Sequence, residues 1–151
     1  ISLLENDIQI IWQTGKPFAE KAKRIANKES RIWTSDFIKE MDFAYAAADL
    51  IVSRSGAMSI AEIETVGKAS ILVPYPFAAE NHQTVNAQHL VDKNAAIMIA
   101  DKNAVEDLVP EIIKLLNNKI QLESLSQNIK LLIKPNADKV IAKKIIETIF
   151  K

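Results

Sequence analysis

No cysteine occurs among the 151 residues, so neither a disulfide framework nor a thiolate metal site is available, and a cytosolic setting is compatible. Charge of one sign is also lacking: 19 Lys and Arg cancel 19 Asp and Glu, and no general field draws the chain toward nucleic acid or anionic lipid. No nucleic-acid partner is expected. No apolar run approaches the roughly 20 residues of a membrane span, and the N-terminus has no basic-then-apolar signal pattern. Only two histidines occur, His82 and His89, on one expected helix with no third ligand in view; neither a metal nor a cofactor is expected. What is present is ordinary for a globular protein, 48% hydrophobic and 25% charged residues, enough to bury a core within one domain over 1–151. The chain opens at Ile1 rather than methionine, partway through what reads as the end of a helix, Ile1 to Leu4, and so reads as a piece of a longer protein.

Glycine is scarce, three in all, and the one at 56 stands at the stretch around which the chain is organised. Leu50 to Val52 is an apolar run that gives way to Arg54-Ser55-Gly56 and then to a helical pattern, a buried strand ending in a turn that opens a helix. The first turn of a helix carries N–H groups without intrahelical partners and a partial positive charge. A phosphate set against Gly56, Ala57 and Met58 could accept hydrogen bonds from those amides. Gly56 is expected to let the backbone turn sharply and a ligand come close. Helical spacing places Ser55, Ser59 and Glu62 roughly on one face, and a carboxylate one to two turns below a phosphate can accept from both hydroxyls of a ribose. The combination points to a nucleotide. Ser59-Ile60-Ala61-Glu62 equally fits a capping box, with Ser59 as N-cap and Glu62 reaching back to its amide, and Arg54 equally fits a surface salt bridge; the pattern leaves both pairs of readings open.

Along the chain, Asp7 to Gln13 alternates and reads as a strand closed by Thr14-Gly15-Lys16-Pro17. Phe18 to Asn27 reads as a helix, Glu29 to Thr34 as a strand, Phe37 to Met41 as a connector, and Asp42 to Ala48 as an alanine-rich helix. Gly67 is expected to cap the central helix, before a strand over Ala69 to Val73 that Pro74-Tyr75-Pro76-Phe77 ends. Ala78 to Asn81 is a loop, His82 to Lys93 a helix, and Ala95 to Ile99 a strand. Asp101 or Asn103 is expected to cap a helix with a stripe of Val105, Leu108, Val109, Ile112, Ile113 and Leu116, which Pro110 interrupts or restarts. Gln121 to Lys134 reads as helical. Pro135-Asn136 caps a last helix with Val140, Ile141, Ile145 and Ile149 on one side and a solvated face of Lys139, Lys143, Lys144 and Glu147.

Strands alternating with helices predict right-handed βαβ units and an open parallel sheet covered on both faces. Such sheets bind ligands outside the carboxyl ends of their strands. By that rule Phe37 to Met41, Arg54 to Glu62 and Pro74 to Gln83 converge on one cleft.

Those three segments, read as Phe37-Ile38-x-x-Met41, then Ala48-Asp49 through Arg54-Ser55-Gly56-Ala57 to Glu62, then Val73-Pro74-Tyr75-Pro76, Asn81-His82-Gln83 and Asn86-Ala87, resemble the C-terminal domain of the MurG glycosyltransferases. The resemblance runs from about Asp7 to the last helix. It implies a Rossmann-like sheet forming the C-terminal half of a GT-B enzyme, an inverting transferase that moves N-acetylglucosamine from UDP to undecaprenyl-pyrophosphoryl-muramyl-pentapeptide in peptidoglycan synthesis, at the inner face of the bacterial plasma membrane. It implies that Glu62 holds the ribose hydroxyls, that Ile38 beside Phe37 reads uracil through its backbone, that Ala57, Met58 and Ser59 face the diphosphate, and that His82 and Gln83 address the sugar, with Arg54, Ser55 and Gly56 in the same donor site. A plain helix start is the alternative for His82 and Gln83. The family's acceptor domain, with its general base, and the strand and glycine-rich loop that open its C-terminal domain have no counterpart here, so the chain reads as truncated, with no catalytic residue and no turnover of its own. Another GT-B UDP-sugar transferase, half of a UDP-N-acetylglucosamine epimerase, and a non-catalytic nucleotide-binding module remain alternatives.

Overall fold

A computed structural model describes Leu3, residues 7–133 and residues 136–149. Of the expected Ile1–Leu4 helix end only Leu3 is described, and it is helical. Pro135 lies outside the described residues. The elements are β1 (Ile10–Gln13), α1 (Ala19–Ala26), β2 (Ile32–Ser35), α2 (Met41–Ala47), β3 (Ile51–Ser53), α3 (Ala57–Val66), β4 (Ser70–Leu72), α4 (His82–Val91), β5 (Ile97–Met98), α5 (Ala104–Leu116), α6 (Lys119–Lys130) and α7 (Ala137–Ile149). Every strand pairing is parallel, as the strand-helix alternation requires, because a parallel neighbour is reached only by a crossover.

The expected single sheet is divided. β1 pairs with β2, Ile10 opposite Ile32 through Gln13 opposite Ser35, and β3, β4 and β5 form a separate sheet in that order. The chain therefore builds outward from β1 to β2, then begins again at β3 and builds through β4 to β5. β1 and β3 each pair on one side only, and a cleft of about 840 Å³ is lined by Trp12 and Gln13 of β1 and by Ile51 and Ser53 of β3. The reversal of direction falls at this cleft, which is where a doubly wound sheet places its ligand.

The larger sheet is covered on both faces. Successive strand residues point to opposite sides, so the neighbours Ile71 and Leu72, both fully buried, feed different core clusters. Leu72 packs with Ile60 and Ile63 of α3 and Leu90 of α4, while Ile71 packs with Ile112 and Leu115 of α5 and Leu125 of α6. Each such side chain contributes roughly 1.5–3 kcal/mol on full burial. α3 ends at Gly67, whose φ of 62° and ψ of 38° are the left-handed cap conformation, its N–H reaching the carbonyls of Ile63 and Glu64.

Several helix expectations need correction. α5 runs unbroken through Pro110. The proline is well inside the helix, in its second turn, and leaves the Glu106 carbonyl without its usual donor; both residues are exposed, so water can serve it. Neither Asp101 nor Asn103 caps α5 with its side chain. Val105 is 93% exposed rather than part of the apolar stripe, and Leu115, fully buried, takes its place in the core. The apolar side of α7 (Val140, Ile141, Ile145, Ile149) is more than half exposed at every position. Among the described residues, no helix is long and apolar enough to cross a membrane.

Candidate functional site

The cleft lies beside the carboxyl ends of β1 and β3. Ile38 and Met41, from the segment after β2, line it together with Arg54, Ser59 and Glu62, from the segment after β3. Two of the three segments expected to converge therefore reach it, although Ser55, Gly56, Ala57 and Met58 are not among the residues that line it. The third, Pro74 to Gln83, does not line the cleft; it is tied to the β3–α3 turn from outside.

The ties explain the turn. Ser55 is fully buried, and its hydroxyl donates to the carbonyl of Gln83 at 2.8 Å, while the Asn86 side-chain amide donates to the Ser55 carbonyl at 3.0 Å. Ser55 thus precedes α3 with its side chain turned inward and does not share a face with Ser59 and Glu62. The Gln83 side-chain oxygen accepts from the Tyr75 N–H at 2.9 Å, so Gln83 closes the proline loop over the turn and keeps only its amide NH2 free of these bonds. Arg54 donates from one guanidinium nitrogen to the carbonyls of Val73 and Pro74 and to the carboxylate of Asp101, and lies 5.6 Å from the Tyr75 ring centre. Asp101, expected as a helix cap, is this arginine's partner.

Gly56 does not turn sharply. Its φ of −64° and ψ of 151° are open to any residue, but a β-carbon there would meet nothing within 4 Å, so space for a close approach is present. Gly56 is itself the N-cap of α3, a residue without a side chain to offer, and the first-turn residues Ala57 and exposed Met58 carry no side-chain cap. This placement overturns the capping-box alternative: Ser59 is the third residue of the helix, not its cap. Glu62 instead accepts a hydrogen bond at 2.8 Å from the hydroxyl of Tyr45, on α2. Burial, then that hydrogen bond, then the charge of Glu62 push Tyr45 up to about 12, so it stays a neutral donor at ordinary pH.

Ile38 is buried, and its N–H donates to the side-chain oxygen of Gln13 at 2.8 Å, so the group that the resemblance assigns to uracil already meets an amide carbonyl. Phe37 beside it is 65% exposed and stands outside the cleft. His82, exposed at the start of α4, lies 2.6 Å through Nδ1 from the carbonyl of Ala79; a carbonyl only accepts, so Nδ1 carries the proton and Nε2 faces outward. The backbone before it is bent unusually, with Glu80 and Asn81 both at positive φ (50° and 55°). Among the described residues no group of three or more His, Asp or Glu side chains stands together as a metal site.

Sequence reasoning missed Tyr45, Gln13 and Asp101. Tyr45 alone gave a signal, an aromatic with a polar tip set in an alanine-rich helix directly before the central strand.

Parallel strands whose order reverses at a cleft, with Ser59 and the tethered carboxylate of Glu62 on its wall, define a Rossmann-type α/β domain. The chain belongs to the glycosyltransferase family 28 C-terminal domain, whose family model matches residues 2–145. A UDP-N-acetylglucosamine--N-acetylmuramyl-(pentapeptide) pyrophosphoryl-undecaprenol N-acetylglucosamine transferase of Parabacteroides distasonis is 46% identical over 97% of this chain, and one of the same name from Cytophaga hutchinsonii is 46% identical over 94%. The crystal structure of Acinetobacter baumannii MurG matches 92% of the chain with a TM-score of 0.82 at 29% identity. The chain spans about 40% of the length of these proteins.

Proposed function

We propose that this chain is the donor-binding part of a glycosyltransferase that moves N-acetylglucosamine from UDP-N-acetylglucosamine to undecaprenyl-pyrophosphoryl-muramyl-pentapeptide, as its relatives are named to do. The observation that carries the reading is one cleft lined by Ile38, Ser59 and Glu62, the last two on the helix whose uncapped start, Ala57 and Met58, precedes them outside the lining. The amides donate to the diphosphate, Glu62 accepts from the ribose diol, and the Ile38 backbone meets uracil once the Gln13 carbonyl gives way. An acceptor already at hydrogen-bond distance from that N–H supports a base carbonyl in the same place. His82, through Nε2, and the free amide of Gln83, outside the cleft lining, are assigned to the sugar hydroxyls by the family resemblance. Arg54 and Ser55 serve the site by fixing the turn rather than by touching the donor.

In the reaction the 4-hydroxyl of the muramyl sugar attacks the anomeric carbon of N-acetylglucosamine with inversion, its proton passing to a base outside this chain, and UDP departs. This chain's share is to position the donor and to stabilise charge growing on the leaving diphosphate through main-chain N–H groups. The 151 residues alone give no turnover. The whole enzyme works peripherally at the cytoplasmic face of the bacterial plasma membrane, where a lipid-linked acceptor is presented.

The test is calorimetric titration of the chain with UDP, UDP-N-acetylglucosamine and ADP, beside turnover by a hybrid in which this chain replaces the corresponding part of the Parabacteroides distasonis relative. Uridine-selective binding that is lost in Glu62→Ala is the expected result. A hybrid that turns over while its activity ignores Glu62→Ala would refute the assignment.

A further inference from the structure

We propose that Tyr45 is a positioning residue for the donor, its hydroxyl fixing one oxygen of Glu62 so that the carboxylate meets the ribose diol in a single orientation. The inference rests on the donor-site reading of Glu62.

Tyr45 and Glu62 come from different helices, α2 and α3, and both line the cleft. The tyrosine ring is anchored, being packed against the cluster that contains Ile60, Ile63 and Leu90, whereas Glu62 is an exposed side chain. Among the described residues no cation pairs with Glu62, so nothing but Tyr45 restrains its carboxylate. An unrestrained glutamate on a helix surface samples many rotamers, and a diol would have to order it on binding. The hydroxyl donates to Oε2 at 2.8 Å and uses one of about four acceptor positions on the carboxylate, which leaves both oxygens able to accept from a ligand. A donor that remains protonated to high pH never becomes a second anion beside Glu62. The anchor therefore converts a mobile carboxylate into a pre-set acceptor at the side of the cleft.

Tyr45→Phe keeps the ring and its packing and removes only the hydroxyl. The experiment compares UDP with 2′,3′-dideoxy-UDP, which lacks the diol, on the wild-type chain, Tyr45→Phe and Glu62→Ala. The ratio of the two dissociation constants isolates diol recognition from base and phosphate binding. In Tyr45→Phe this ratio is expected to fall about three- to tenfold while dideoxy-UDP binds as before. In Glu62→Ala the ratio is expected to approach unity. A purely structural role for Tyr45 would weaken both ligands alike, and that outcome, or an unchanged ratio, overturns the inference while Glu62→Ala keeps the donor-site reading in place. A ratio that survives Glu62→Ala removes the donor-site reading itself. If binding to the chain is too weak to titrate, the same comparison is made with inhibition constants on the hybrid enzyme, and the same outcomes decide.

Discussion

Replacing Arg54 with alanine separates a brace from a ligand contact, because the resemblance assigns the residue to the donor site while the structure spends its guanidinium on the protein. One nitrogen faces the carbonyls of Val73 at 3.1 Å and Pro74 at 3.2 Å and the Asp101 carboxylate. It has only two hydrogens for these three acceptors, so at most two full bonds are counted. A net hydrogen bond is worth about 1 kcal/mol. The ion pair, with side chains 50% and 35% exposed, is screened by water and adds about 0.2–1 kcal/mol. Stacking on exposed Tyr75 adds about 0.5 kcal/mol, and the shared groups make the terms less than additive. Arg54→Ala is therefore expected to lower stability by roughly 1–2.5 kcal/mol, a fall in Tm of about 3–8 °C for a chain of this size. Urea denaturation of Arg54→Ala, Asp101→Ala and the double variant gives the coupling directly, expected at about 0.5–1 kcal/mol. Arg54→Lys should restore little, since a point ammonium does not reproduce the planar fork. Arg54→Ala with stability changed by less than about 0.5 kcal/mol and UDP affinity abolished would refute the brace and return the residue to the ligand.

Gln13→Ala removes the carbonyl that holds the Ile38 N–H and, if uracil takes that place, should tighten UDP about two- to fivefold by calorimetry; weaker binding would mean that Gln13 itself touches the base. Gly67→Ala puts a side chain on a residue at φ 62°, where a β-carbon would collide with the Lys130 side chain at Cγ, and thermal melting should show a loss of about 1–2 kcal/mol. Tyr45 has its pKa raised in the fold, so its contribution to stability is complete below its unfolded value near 10 and is lost as pH rises toward about 12. Denaturant midpoints measured from pH 9 to 12 should fall less steeply in Tyr45→Phe than in the wild type.

Local pattern carried much of the fold. The β-branched run at Ile8 to Ile11 and the apolar run at Ile71 to Val73 each lie on or beside a strand, and Gly67 caps the helix it was expected to cap, because these features act within a few residues. What pattern could not carry was pairing at a distance. Arg54 meets Asp101 across 47 residues, and Tyr45 meets Glu62 across 17, contacts that only the crossovers bring about. Ser55 read as a polar turn residue, yet it is buried, since the carbonyl of Gln83 satisfies its hydroxyl. The division of the sheet was equally hidden, because β1 and β3 carry ordinary strand sequences and only their tertiary placement leaves each with one unpaired side. Pro110 misled in the opposite sense: it sits inside the helix, and the one carbonyl it leaves without a donor, that of Glu106, is on an exposed residue open to water.

The divided sheet has a mechanical consequence. Ile38 hangs from the end of β2, in the two-stranded part, whereas Glu62 and the start of α3 hang from β3, in the three-stranded part. On the proposed donor-site reading, a nucleotide gripped at its base by one and at its ribose and diphosphate by the other is a strut between the two parts. The span between Ile38 and Glu62 then becomes a ruler for the ligand, and the free energy of gripping is shared with that of holding the two parts at one separation. Saturating ligand would raise the melting temperature of the two-stranded part as well as of the three-stranded part, whereas a fragment as small as uracil alone, reaching only one anchor, would leave the two free to melt apart.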